Sequence, residues 1–182
     1  DVFAHRKFKT MLEDTKFLGY AEYSTPAKVI MVVNSEYVEE ERPVIGQDLS
    51  IILDKTVFYA ESGGQVGDSG KITSGDNIFE VLDTQKIGNV YFHVGKIISG
   101  FFKKGDMVRA QIDADRRLKI AKNHTATHLL QAALRQVLGS HVKQQGSLVN
   151  AEKLRFDFTH LKGVSKEELS RVEELANSFV KS

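Results

Sequence analysis

Two histidines four residues apart are the side chains with the clearest chemical potential. They lie in the run Asn123-His-Thr-Ala-Thr-His128. On a helix, residues i and i+4 are neighbours on one face. His124 and His128 could therefore turn both imidazoles to one metal ion, or simply stand in solvent, and spacing alone leaves both readings open. The glutamate that follows the first histidine in zinc proteases is replaced by Thr125, which disfavours that chemistry. A second run, Asp54-Lys-Thr-Val-Phe-Tyr-Ala-Glu-Ser-Gly-Gly-Gln-Val-Gly-Asp68, is rich in glycine. It lacks the Gly-Lys-Ser/Thr ending of a phosphate loop and the spacing of a dinucleotide fingerprint. It is either a turn between strands or a stretch of bare backbone that another chain or a ligand can approach closely. A third run, His141-Val-Lys-Gln-Gln-Gly-Ser-Leu-Val149, places Gln144 and Gln145 in an expected strand, where amides are either an exposed face or part of a site. No Ser-His-Asp or paired-carboxylate arrangement competes.

The elements that must position these residues fall into two textures. From about Lys28 to Asp113 the signals are β: Val29–Val33, Asp48–Phe58, Lys71–Thr73, Ile78–Asp83, Val90–Val94 and Met107–Ile112. Ser74-Gly-Asp-Asn77 reads as a hairpin turn. Short strands at this spacing predict a small barrel or sandwich over residues 21–113. Residues 1–20 are expected to be a helix or a linker from an upstream region. From 114 onward the pattern is α+β. Asp113 is a candidate N-cap and Gly139 a candidate helix stop, with Leu118, Ala126, Leu129, Leu130, Ala133, Leu134, Val137 and Leu138 at helical spacing. Lys143–Val149 and Leu154–Phe158 predict a hairpin turning at Asn150–Lys153. Ser165-Lys-Glu-Glu168 is a capping box opening a last helix striped by Leu169, Val172, Leu175, Ala176, Phe179 and Val180. Two strands alone rarely make a stable sheet, so further strands are expected beyond Ser182.

Composition sets the limits. The 182 residues are 41% hydrophobic and 27% charged, with net charge +1, no cysteine and two prolines. A core is available, and a disordered tail or bulk polyelectrolyte is disfavoured. The lack of cysteine excludes a disulfide scaffold and any thiolate zinc site within these residues. No apolar run approaches the roughly 18 residues of a membrane span, and the first residues have no signal-peptide pattern. A cytoplasmic location without membrane contact is expected. Arg116, Arg117, Lys119 and Lys122, with Lys103 and Lys104 before them, form either a solvated face or a patch for RNA phosphates.

The order of these motifs, Thr-Val-Phe-Tyr-Ala-Glu-Ser-Gly-Gly-Gln-Val-Gly-Asp-Ser-Gly, then Asn-His-Thr-Ala-Thr-His-Leu-Leu, then Val-Lys-Gln-Gln-Gly-Ser-Leu-Val, then Leu-Arg-Phe-Asp-Phe-Thr-His, resembles the editing domain of alanyl-tRNA synthetases. The resemblance runs from about Phe17 to the end. The histidine pair alone is shared with threonyl-tRNA synthetase editing domains. The family's fold is a glycine-rich β-barrel followed by an α+β editing core. The activity implied is hydrolysis of the ester of seryl- or glycyl-tRNA(Ala), at the tRNA acceptor end. The parent would attach alanine using ATP and magnesium. His124 and His128 match two zinc ligands, whose Cys-x-x-x-His partners would lie further along. Gln144 matches a pocket glutamine, and Thr56 a threonine that reads the serine hydroxyl. The resemblance places Gly63, Gly64 and Gln65 on the substrate with them. A freestanding editing deacylase and a non-catalytic RNA-binding module are the other readings.

Overall fold

The computed structural model describes Phe8 and residues 12–181, apart from the side chain of Lys181. The chain divides into two compact units, one of residues 1–62 and 67–116, the other of residues 63–66 and 117–182. The fold class is α+β, with a small barrel.

The first unit is a closed antiparallel barrel. Its strands are β2 (Ser24–Asn34), β3 (Leu49–Leu53), β5 (Gly70–Ser74), β6 (Asn77–Ile87), β7 (Val90–Ser99) and β8 (Met107–Ile112). They run around the barrel in the order β2-β3-β7-β6-β5-β8, and β8 closes it by pairing with β2. A parallel pair, β1 (Lys16–Phe17) and β4 (Lys55–Thr56), lies outside this ring. In β8 alternation sends Val108, Ala110 and Ile112 inward and leaves Met107, Arg109 and Gln111 exposed, the period of a strand with one buried face. In β3 every residue is buried, because both faces are covered. Leu49, Ile51 and Leu53 join the barrel interior with Phe58, Ile72, Phe79 and Phe102. Ile52 joins an outer cluster with Phe8, Met31, Val33, Val90 and Phe92.

The strand expected over Asp48–Phe58 is broken at Asp54. Its Oδ1 accepts from the Lys28 and Lys55 N–H groups at 2.8 and 2.9 Å; the Lys55 bond is a local one that competes with the ladder. The hairpin turn at Gly75-Asp76 forms as expected, with Ser74 opposite Asn77. The helix or linker expected over residues 1–20 lies largely outside the described residues up to residue 11; beyond them it contains β1.

The second unit holds most of helix α1 (Ala114–Leu138), the hairpin β9 (Gln144–Val149) with β10 (Leu154–Phe158), and α2 (Lys166–Lys181). Asp113 caps α1 by accepting from the Arg116 N–H at 2.9 Å, satisfying one of the orphan amides of the first turn. Gly139 ends the helix at φ +118°. Ser165 and Glu168 make the expected reciprocal bonds, at 2.9 and 3.1 Å. Ala133, Leu134, Val142 and Val172 are the buried centre, flanked by Leu130, Phe156, Phe158 and Leu175. Three residues assigned to the apolar stripes are instead exposed: Leu118 (53%), Leu169 (52%) and Val180 (70%). At about 100° per residue Leu118 falls roughly 160° from Leu134, on the opposite face, whereas Ile120 falls close to it. Ile120 is the residue that is fully buried.

Candidate active site

The glycine-rich run leaves the barrel through a pinned neck. The Tyr59 N–H donates to Asp68 Oδ2 at 2.7 Å, and the Asp68 N–H returns to the Tyr59 carbonyl at 2.9 Å. Thr84 adds a hydroxyl bond to the Asp68 carbonyl at 2.9 Å. Between these anchors Gly63–Val66 belongs to the second unit. There it runs beside the end of β9: the Val149 N–H donates to the Gly64 carbonyl at 2.8 Å and the Val66 N–H to the Val149 carbonyl at 3.1 Å. Gly64 has φ +84°, and a Cβ there would overlap the Ser147 carbonyl and hydroxyl. Both the dihedral and the close approach demand glycine.

This short run is what meets the histidines. His124 and His128 are exposed and their rings stack, with centroids 4.9 Å apart and planes 27° from parallel. His124 Nδ1 lies 2.7 Å from Gln65 Oε1. An amide oxygen only accepts, so with Gln65 oriented this way His124 donates from Nδ1 and keeps the lone pair on Nε2. Such an outer partner fixes the tautomer that a metal ligand or a proton acceptor needs. On the other side of the run, Ser147 Oγ donates to the Gly63 carbonyl at 3.3 Å and accepts from Gln144 Nε2 at 3.1 Å. Asn123 Nδ2 donates to the Asn150 carbonyl at 2.8 Å, fastening α1 to the hairpin turn.

Of the residues expected at the site, Gly63, Gly64, Gln65, His124, His128 and Gln144 thus belong to one unit and are connected by the contacts above. Ser147 and Asn123 were not singled out in the sequence. Ser147 sits in the quoted Gln-Gln-Gly-Ser run, and only its placement beside Gly63 marks it. Thr56 belongs to the barrel unit and is fully buried. Its hydroxyl lies 2.7 Å from His93 Nε2 and accepts from the Phe58 N–H at 3.1 Å. His93 Nδ1 lies 2.7 Å from the Ile51 carbonyl, so Nδ1 donates there and Nε2 accepts from Thr56. Burial pushes the His93 imidazole down to about 4, against the opposing effect of the Ile51 bond. The ring is neutral at physiological pH.

The residues present supply two imidazoles for zinc. A firmly held zinc normally has at least three protein ligands, and no group of three or more His, Cys, Asp or Glu side chains is placed to hold a metal ion among the described residues. The pair alone does not make a zinc site. Among the basic residues, Arg116 Nη1 donates to the Gly67 carbonyl at 2.8 Å, while Lys103, Lys104, Lys119 and Lys122 are exposed. No described helix is long and apolar enough to cross a membrane.

Residues 2–116 match the family described as tRNA synthetases class II (A), and the chain belongs to that family. Three curated relatives narrow the likeness to ligases of one amino acid. The chain is 48% identical over 166 residues to the alanine–tRNA ligase of Thermoanaerobacter sp. (strain X514), covering 91% of this chain and 19% of the relative. The alanine–tRNA ligase of Thermoanaerobacter pseudethanolicus matches with the same figures. That of Acetivibrio thermocellus is 48% identical over 167 residues, again 91% of this chain and 19% of the relative. The chain therefore spans about a fifth of the length of these relatives. A match of that size contains every candidate residue named above.

Proposed function

We propose that this chain is the editing region of an alanyl-tRNA synthetase, hydrolysing the ester that joins serine or glycine to the 3′-terminal ribose of tRNA(Ala). The parent protein would attach alanine to that tRNA, using ATP and magnesium outside this chain. The need follows from binding physics. A pocket made for alanine cannot strongly refuse glycine, which is smaller, or serine, which adds one hydroxyl; discrimination of that kind reaches only about 10²-fold. A second, hydrolytic site removes the error.

The observation that carries the reading is the contact of Gln65 with His124 beside His128. It gives the glycine-rich run a chemical task. Gln65 holds the tautomer and His124 Nε2 presents its lone pair, which can take a proton from an attacking water or join a metal. Gln144 can donate and accept at once, so it suits holding the water or the ester carbonyl. His124 and His128 would be two of the ligands of a zinc site that needs further donors. In this reading Thr56, which is fully buried in the barrel unit, reads the serine hydroxyl with the lone pair its present partners leave.

The test is deacylation of purified Ser-, Gly- and Ala-tRNA by the longer protein and its His124→Ala variant. Loss of His124 should slow seryl and glycyl hydrolysis alike, by about 10²-fold or more if it serves the proton or the metal. Unchanged rates on both substrates would end the hydrolytic assignment.

A further inference from the structure

The barrel unit carries a group of aromatic rings that the hydrolytic reading does not use. Phe17 stacks on Tyr91, with centroids 5.7 Å apart and planes 13° from parallel. Tyr20 stands edge-on to Phe17 at 5.0 Å, and Tyr59 at 6.3 Å. Tyr20 is 89% exposed. A lone exposed tyrosine is ordinary, but four rings in one patch, one of them almost wholly exposed, are a different object. Burial, then the nearness of Tyr20 and Tyr59, raise the Tyr91 hydroxyl above its usual range, as expected where three phenols gather. Tyr91 pairs directly with Lys86 across β6 and β7, and directly opposed residues share a face of the sheet. Lys86 is exposed. An aromatic surface with an ammonium beside it matches the two parts of an unpaired nucleotide, a planar base and a phosphate.

We infer that Tyr20, with Phe17, Tyr59 and Tyr91 behind it, is a stacking platform for an unpaired base of RNA, and that Lys86 meets the adjoining phosphate. The inference rests on the reading that this chain handles tRNA, whose 3′ end is single-stranded. Stacking needs no particular base, so the platform holds the strand without reading its sequence.

The chain contains no tryptophan, so quenching of its tyrosine emission reports stacking directly. The probe is a fluorescein-labelled CCA ribotrinucleotide, with an abasic ribose-phosphate strand of the same length as control. Anisotropy titrations of this chain should show CCA bound and the abasic strand much weaker. Tyr20→Ala should weaken CCA binding about 5- to 100-fold, and Tyr20→Phe should hold it within about 3-fold, since the π-face carries the contact. Tyr20 is almost wholly exposed, so neither change threatens the fold, and circular dichroism verifies this. Equal affinity of Tyr20→Ala and the unaltered chain, or equal binding of the abasic strand, overturns the platform. The titration involves no hydrolysis. An intact stacking signal beside absent deacylation in the longer protein supports the platform and removes the hydrolytic reading alone; the reverse removes the platform alone.

Discussion

Thr56 and His93 show how a single buried hydroxyl can serve as donor and acceptor at once. Phe58 N–H, Thr56 Oγ1, His93 and the Ile51 carbonyl form one chain of bonds inside the barrel. Thr56→Val keeps the volume and removes the donor to His93 Nε2. A buried acceptor left without a partner costs about 1–3 kcal/mol, and urea denaturation of this chain should register a loss of that size. In the longer protein the same substitution should slow seryl-tRNA hydrolysis about 2- to 10-fold, the rate equivalent of one neutral hydrogen bond. Glycyl-tRNA, with no side-chain hydroxyl, should change much less; equal losses would make Thr56 a barrel residue only. His93 adds a pH dependence. Its folded value, about 4, lies below the ordinary 6.5. Between those values the unfolded chain binds a proton that the folded chain refuses. Stability from this residue is therefore complete above pH 6.5 and falls by about 1.4 kcal/mol per unit as pH drops toward 4. His93→Gln should remove that part of the slope in denaturation curves taken at pH 7 and pH 5. The sequence offered no sign of it: His93 sits in the expected strand Val90–Val94, and only the pairing of β3 with β7 brings it beside Ile51 and Thr56.

At the scale of elements, what was legible was local. Asp113, Gly139 and the Ser165–Glu168 box act within a turn of themselves, so their residue types suffice to place helix ends. Ser165→Ala should cost about 0.5–2 kcal/mol, read from thermal or urea unfolding. Glu168 is held below its usual carboxylate value, first by the Ser165 N–H, so its contribution is present at neutral pH and is lost as acid protonates it. The strand run at Asp48–Phe58 was legible as β, but the side-chain bond that breaks it at Asp54 depends on Lys28, 26 residues away. The histidine pair was legible as a pair on one face. Its tautomer was not, because Gln65 lies 59 residues from His124. Gly64→Ala tests this long-range part. A methyl group there meets Ser147 and strains a left-handed backbone, so stability should fall by more than about 1 kcal/mol, and Gln65 should lose its hold on His124. The imidazole NMR signals of His124 would report that release.

The whole molecule comprises a closed barrel and a unit assembled from two separate stretches of sequence. Closure leaves the barrel without unpaired edges, and the sequence texture announced the barrel without announcing the excursion of residues 63–66. Metal content is a property at this scale, since two imidazoles fall short of a firm zinc site. After dialysis this chain should retain well under one zinc per molecule, while a longer protein with further Cys or His ligands should retain one; full occupancy in the short chain would show that a third ligand is already present. The excursion has a consequence in time. Gly63 and Ser147, which bond each other, are 84 residues apart. At about 5–20 residues per second, a ribosome needs on the order of 4–17 s to make that interval. Small β-barrels close in milliseconds to seconds, and β8 is finished at Ile112. The growing chain thus passes through a stage in which the barrel is complete and the glycine-rich run stands bare, waiting for a partner not yet translated. That stage lasts for the 35 residues from Ile112 to Ser147, about 2–7 s at the same rate, and through it the run is held at its base by the pinned neck at Tyr59 and Asp68.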